Sequence, residues 1–417
     1  MKVKGICLGC KVNTYESNYV ASLFKNKGYD VVDFNDICDI YIINTCSVTN
    51  NSDHKSDKII RQAIKRNKDA CIVAMGCHME YIKDNIPDTI NIAVGNYNKS
   101  KVVDYVEEWF KTKKNIREFR DMSKVSFEDM EIKYSYDHTR AFVKIEDGCN
   151  NFCSYCVIPY VRGRCRSKEF DKVLEEINSL VDNNYKEVVL TGIHTGNYGR
   201  DINTCFSNLV EEILKTKLER LRISSIEITE LDDKFLKLLE NKKLCNHLHI
   251  PLQAGSDKIL KLMNRKYDKK YFLEMIEKIR KIRPDISITT DIIVGFPNET
   301  EEDFLETLEF SKLVNFSKIH VFPYSKRDGT VASKMDNQID EETKKCRSRK
   351  LIELSVELED KYYNSFIGKK EHVLIEKVVD GYSYGHTSNY LYLKINKELI
   401  PNTIYEIEIT KEMFNKE

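Results

Sequence analysis

The chain has 417 residues, long for one domain and ample for a buried core, and its 41% hydrophobic and 32% charged residues give the profile of an ordinary soluble protein. Lys plus Arg equals Asp plus Glu at 66 each, so bulk charge gives no argument for a nucleic-acid partner, and any such argument rests on local patches. No apolar run approaches the roughly 20 residues that cross a bilayer, and MKVKGICLGC lacks the apolar stretch of a signal peptide. The expected place is the cytoplasm, with no membrane partner; there, 13 cysteines fit metal ligands or small buried groups better than disulfides.

Residues 1–112 alternate strand and helix. KGICLGC, DIYIINTC and ACIVAMGC read as strands, and NTYESNYVASLFKNKGY and SDHKSDKIIRQAIKRNK carry apolar residues at helical spacing. This is an α/β unit with a parallel sheet. Each of the three runs ends on a cysteine: Cys10, Cys46 and Cys77. Open parallel sheets bind ligands at the carboxyl ends of strands near a switch in strand order, so these thiols could meet in one crevice and hold a cluster. Cys7, Cys38 and Cys71 lie within or before the same runs and read as buried packing residues. Residues 113–138 are charged and aperiodic and read as a linker.

From 139 to 367 strand and helix repeat about six times. Strands are expected at RAFVKIE, KEVVLTGI, ERLRISSIE, NHLHIPLQ, ISITTDIIVGF and KIHVFPYS, an open (β/α)6 partial barrel whose function gathers at the carboxyl ends of its strands. The first is followed by a loop with Cys149, Cys153 and Cys156, spaced Cys-x-x-x-Cys-x-x-Cys. Three thiolates on one loop can converge on one face of an iron–sulfur cube, whereas tetrahedral zinc and the usual four-cysteine clusters want a fourth protein ligand. One iron is then open, and S-adenosylmethionine could chelate it through its amino and carboxylate groups. His194, His247, His249 and His320 lie near strand ends; of His247 and His249 one is expected to face the barrel, and satisfied structural histidines are the plainer reading.

Basic residues cluster at Arg162, Arg164, Arg166 and Lys168, at Lys55, Lys58, Arg61, Lys65, Arg66 and Lys68, and at Lys344, Lys345, Arg347, Arg349 and Lys350. Such runs are usually solvated faces. The first adjoins the cysteine loop and has Tyr155 and Tyr160 nearby, so Arg162, Arg164 and Arg166 are candidates for RNA phosphate contact. Residues 368–417 alternate Val, Ile, Tyr and Leu with polar residues and are punctuated by DG, YG and PN, which reads as an antiparallel β-barrel of about five strands.

The Cys149–Cys156 loop resembles the signature of the radical-SAM superfamily. Together with GCKVNTYES, INTCSVTN and AMGC, it makes the chain similar to the methylthiotransferases, which insert a CH3S group into tRNA adenosines or a ribosomal-protein aspartate. The resemblance implies two 4Fe–4S clusters, one on Cys149, Cys153 and Cys156 that cleaves S-adenosylmethionine to a radical, and an auxiliary one on Cys10, Cys46 and Cys77 that delivers sulfur. It implies adenosylmethionine contacts at Gly192, Gln253, Asp291 and Gly295, although each glycine also has a turn-forming reading. GHTSNYLYLKI resembles the TRAM domain, a small RNA-binding barrel, which implies RNA contact by Tyr384, Asn389 and Tyr390. The implied partners are tRNA, an electron donor such as flavodoxin or ferredoxin, and a sulfur source. GCKVN, LTGIHTGNYG and HVFPYSKRDGT look most like the bacterial branch acting on N6-threonylcarbamoyladenosine beside the anticodon; the branches for isopentenyladenosine and for the ribosomal protein are the alternatives. A radical-SAM enzyme whose second cluster only transfers electrons, and a protein whose six cysteines hold structural zinc, also remain open.

Overall fold

The computed structural model describes residues 1–32, 36–132 and 139–416. Its first unit runs β1 (Lys2–Cys7), α1 (Lys11–Asn26), β2 (Asp30–Val31), β3 (Ile40–Thr45), α2 (Asn50–Arg66), β4 (Cys71–Gly76), α3 (Cys77–Tyr81), β5 (Ile92–Val94), α4 (Val102–Thr112) and β6 (Ile116–Glu118). The six strands form one parallel sheet in the order β2-β1-β3-β4-β5-β6. β3 and β4 are buried along their whole length because helices cover both faces, which is why their sequences are continuously apolar rather than alternating. On one face Val20 and Phe24 of α1 pack with Val103, Val106 and Trp109; on the other Ile60 and Ala63 of α2 pack with Met79. The strand order reverses between β1 and β3, so a crevice opens at their carboxyl ends.

The expected linker is partly sheet. Ile116–Glu118 pairs with β5, and its charged composition is that of an edge strand, which hid it from an apolar periodicity search. Residues 133–138 of that expected linker lie outside the described residues.

The second unit comprises β7 (Ala141–Lys144), β8 (Glu146–Asp147), α5 (Ile158–Val161), β9 (Arg166–Ser167), α6 (Phe170–Asp182), β10 (Glu187–Thr191), α7 (Phe206–Lys215) and β11 (Arg220–Ile223). It continues with α8 (Asp233–Leu238), β12 (His247–His249), α9 (Asp257–Leu262), α10 (Lys269–Ile282), β13 (Ser287–Val294), α11 (Glu301–Val314), β14 (Lys318–Pro323) and α12 (Glu341–Asn364). All six expected runs contain a strand, in two parallel three-stranded sheets, β7-β10-β11 and β12-β13-β14. An isolated parallel bridge between Leu221 and Leu244 joins them. Four of these helices, α8, α10, α11 and α12, begin on side-chain caps: Asp232, Asp268, Thr300 and Asp340 each accept a backbone N–H from the first turn. One apolar core, from Ala141 to Leu358, lies beneath both sheets.

The third unit is an antiparallel four-stranded sheet, β15 (Lys370–Val379), β16 (Tyr382–Thr387), β17 (Tyr392–Ile395) and β18 (Ile404–Glu408), in the order β17-β16-β15-β18. Asp380 and Gly381 both take positive φ (51° and 80°), the two-residue hairpin turn that DG favours. Arg220 and Arg222 of β11 fix this sheet to the second unit. Arg222 donates to the carbonyls of Ser388 and Thr387 (both 3.2 Å) and Arg220 to that of His386 (3.3 Å), while Glu187 accepts from Arg222 Nε at 2.6 Å. Among the described residues no helix is long and apolar enough to cross a membrane.

Candidate active site

Cys10, Cys46 and Cys77 follow β1, β3 and β4 at the strand-order reversal. Gly9 (φ 103°) lets two of these loops touch: a Cβ there would lie 2.6 Å from Cys46 Cβ and 2.8 Å from its Sγ. Burial and the neighbouring thiols of Cys77 and Cys10 push the Cys46 thiol up to about 11. The opposing charge comes from the second unit. Arg162, wholly buried, donates from Nε to Cys77 Sγ (3.1 Å), from Nη1 to Glu16 (3.0 Å) and Asp147 (2.9 Å), and from Nη2 to Asn13 Oδ1 (2.8 Å). Lys99 (2.7 Å) and Lys144 (3.1 Å) complete the cluster around Glu16. Burial raises the Glu16 pKa, but Arg162, Lys99 and Lys144 outweigh it and hold the carboxyl well below the usual range.

The Cys149–Cys156 loop is shaped by two left-handed residues. Gly148 (φ 89°) must be glycine, since a Cβ would lie 2.1 Å from the Arg164 carbonyl oxygen, and Phe152 takes φ 47°, rare for an aromatic residue and typical of a constrained functional loop. Cys149 N donates to Gly163 O at 3.1 Å, and Arg265 Nη1 donates to Cys153 Sγ at 3.4 Å. Burial, then Cys153, push the Cys156 thiol up to about 12. His194 Nε2 lies between Asn151 Nδ2 (3.2 Å) and a Glu230 carboxylate oxygen. Glu146, buried behind the loop, accepts from His194 N (2.7 Å) and is pushed up to about 8 by burial.

The strand-end thiols open on a cavity of about 750 Å³. Its walls include Lys11, Gly192, His247, Asp291, Asn389 and Tyr390, so all three units contribute. Cys149, Cys153 and Cys156 do not line it, whereas Ile158, Arg162 and Gly192 do. Residues two apart on a strand share a face, and accordingly both His247 and His249 point into this cavity, which corrects the expectation of one. Both reach Thr289 Oγ1, at 3.0 and 2.9 Å. His247 Nδ1 nevertheless has no hydrogen-bond partner among the described residues.

Residues 143–311 match the family described as Radical SAM superfamily, and residues 2–95 match one described as Uncharacterized protein family UPF0004. The chain is 41% identical over 397 residues to a threonylcarbamoyladenosine tRNA methylthiotransferase, MtaB, of Bacillus subtilis, covering 92% of this chain and 88% of the relative. It is 37% identical to a tRNA-2-methylthio-N(6)-dimethylallyladenosine synthase of Acetivibrio thermocellus, covering 90% and 82%. The chain belongs to the radical-SAM methylthiotransferase family. It is an enzyme, and membership implies a 4Fe–4S cluster and S-adenosylmethionine. The fold is also that of a radical S-adenosylmethionine methyltransferase, TsrM, from Kitasatospora setae, at TM-score 0.55 and 13% identity, covering 77% of this chain and 72% of that one.

For a methylthiotransferase the donor set fits: three thiols on a constrained loop, with a cation on one sulfur. Among the described residues no three His, Cys, Asp or Glu side chains gather closely enough to hold one metal ion, and a polynuclear cluster takes wider-set thiols. The candidate adenosylmethionine residues divide. Gly192 and Asp291 line the cavity, Asp291 lying 3.3 Å from His249 Nε2. Gln253 takes φ 69° and bridges to β13 through its backbone, donating to Asp291 O. Gly295 (φ 70°) makes a turn against Lys344, whose Cγ would lie 2.4 Å from a Cβ.

The basic patch needs correcting. Arg162, Arg166 and Lys168 are 0%, 7% and 1% exposed, so they cannot reach an RNA phosphate. Their partners are Glu16 on α1 and Asp147 on β8 for Arg162, the Arg162 and Arg164 carbonyls of its own segment for Arg166, and Glu176 on α6 for Lys168 (2.7 Å). Arg164 alone of the four is exposed, over the Phe152 ring at 4.4 Å and near exposed Tyr160. Cations Lys55, Lys58, Arg61, Lys65, Arg66 and Lys68 are exposed along and just past α2, whereas Lys344 and Arg347 are buried. In the third unit Tyr384 is half-buried, Asn389 is buried and Tyr390 stacks on His247 at 4.8 Å. Cys38 and Cys71 are buried as expected, but Cys7 is exposed. Sequence reasoning missed Arg265 and Glu16, whose sulfur and arginine partners lie more than 100 residues away.

Proposed function

We propose that the chain is a tRNA methylthiotransferase that adds CH3S to C2 of N6-threonylcarbamoyladenosine beside the anticodon. The observation that carries this reading is the meeting of Cys10, Cys46 and Cys77 in one cavity walled by all three units. The nucleoside is supported by three relatives at 38–41% identity that bear the threonylcarbamoyladenosine name. When bound, one cluster on Cys149, Cys153 and Cys156 supplies the electron that cleaves adenosylmethionine, and a second on Cys10, Cys46 and Cys77 supplies the sulfur.

The chain's own groups do the positioning. Arg265 and Arg162 place one buried guanidinium on each triad, against the Cys153 and Cys77 sulfurs. Tyr390, stacked on His247, covers the cavity from the third unit and offers an aromatic face to a base drawn out of the anticodon loop. In this reading residues 139–367 act as an open (β/α)6 barrel and residues 368–417 as a TRAM-like RNA-binding domain, with RNA met by Arg164, Tyr384 and Tyr390. A flavodoxin or ferredoxin supplies electrons, a separate donor restores sulfur, and the place of action is the cytoplasm.

The test is mass spectrometry of tRNA nucleosides from cells with and without the gene. Loss of the 2-methylthio derivative of threonylcarbamoyladenosine, with its precursor accumulating, is expected. Loss of the isopentenyladenosine derivative instead, or no change, overturns the assignment.

A further inference from the structure

Lys11 directly follows Cys10 and lines the same cavity. Among the described residues it has neither a hydrogen bond nor an ion pair. The charges around it are already committed. Glu187 is held by Arg222 at 2.6 Å, Glu376 by Arg140 at 3.1 Å and by His386 at 2.8 Å, and Asp291 lies against His249 at 3.3 Å. Arg222 and Arg140 bring two more cations to the Tyr390 ring, 4.9 and 5.6 Å from its centroid. His247, 5% exposed and stacked on that ring, adds the unpartnered Nδ1. Lys11 thus faces the pocket with no carboxylate paired to it among the described residues.

We infer that Lys11, with His247 and Tyr390, forms a subsite for a carboxylate carried on the N6 substituent of the acceptor adenine. The inference rests on the function proposed above. On adenine, C2 and the N6 substituent flank N1 on one edge, so a base whose C2 faces the thiols directs its N6 group toward residues beside them. A threonylcarbamoyl group brings a carboxylate there and answers Lys11. An isopentenyl group brings only hydrocarbon and leaves the ammonium without a counter-ion, so the subsite selects by what the wrong substrate leaves unpaired.

The test is binding of anticodon stem-loop RNA to the reconstituted holoenzyme. Three forms are compared: threonylcarbamoyladenosine, the same with its carboxylate as a methyl ester, and isopentenyladenosine. The native chain is expected to bind the free acid roughly ten- to hundredfold more tightly than the ester, the range of one charge-assisted hydrogen bond. Lys11→Gln should bring that ratio close to one by weakening the acid alone, and Lys11→Arg should keep most of it. Equal binding of acid and ester by the native chain overturns the subsite, as does a Lys11→Gln variant that keeps the ratio or that weakens all three RNAs equally. Preference of the native chain for the isopentenyl RNA strikes the underlying reading instead and removes the subsite with it.

Discussion

Cys149, Cys153 and Cys156 lie on a single loop, whereas Cys10, Cys46 and Cys77 meet only because β1, β3 and β4 are neighbours in one sheet. The loop triad needs Gly148 and Phe152 to turn the backbone and takes its cation from Arg265. The strand-end triad takes its cation from another unit, through Arg162, whose charge is shared with Glu16 and Asp147. The carboxylates beside the two triads differ as well. Glu16 stays ionised among three cations, while burial outweighs the nearby His194 at Glu146 and holds its proton to about pH 8. A triad local in sequence tolerates damage elsewhere, and one assembled from tertiary structure depends on the interface that completes it.

The largest expected effects separate the two directly. Cys153→Ala should abolish reductive cleavage of adenosylmethionine, read as 5′-deoxyadenosine. Cys46→Ala should leave cleavage and stop the methylthio product; product from that variant would refute the division of labour. Next is the interface. Arg162→Met takes one of three cations from buried Glu16 and leaves Asp147 only the longer contacts of Lys144 (3.3 Å) and Arg166 (3.7 Å), and should cost ~3–5 kcal/mol in denaturant unfolding. Arg164→Met, on the surface nearby, should stay within about 0.5 kcal/mol. Similar losses in both would mean that Arg162 is not the keystone of the strand-end triad.

The protonation contrast gives a smaller effect with a definite sign. A glutamate in the unfolded chain releases its proton near 4.5, but folded Glu146 keeps it to about 8. Between those values the folded state holds the extra proton, so its stability from this group falls as pH rises. Glu146→Gln should flatten that part of the thermal-unfolding profile, and an unchanged slope would show Glu146 ionised in the fold. Smallest is the surface term. If Arg164 meets an RNA phosphate, Arg164→Ala should reduce the slope of log affinity against log salt by about one, and an unchanged slope removes it from the interface.

The same contrast explains what was legible in the sequence. The loop triad is a spacing motif, open to inspection. The strand-end triad could be read because continuous apolar runs mark buried parallel strands and each run stops at a cysteine. The charged edge strand Ile116–Glu118 has no apolar pattern and passed as linker. Arg162 and Arg166 read as RNA contacts because Glu16, which helps neutralise Arg162, meets it only when the first two units dock. Nothing in the sequence singles out Lys11, because His386, Asn389 and Tyr390 join it in one cavity wall only in the folded chain.

Counting iron and acid-labile sulfide per chain after anaerobic reconstitution, with a Mössbauer spectrum of the same samples, tests the two-triad account most directly. The account predicts about eight of each in the native chain, and about four when Cys10, Cys46 and Cys77 are all changed to alanine. About four in the native chain, or no loss in that triple variant, would contradict it.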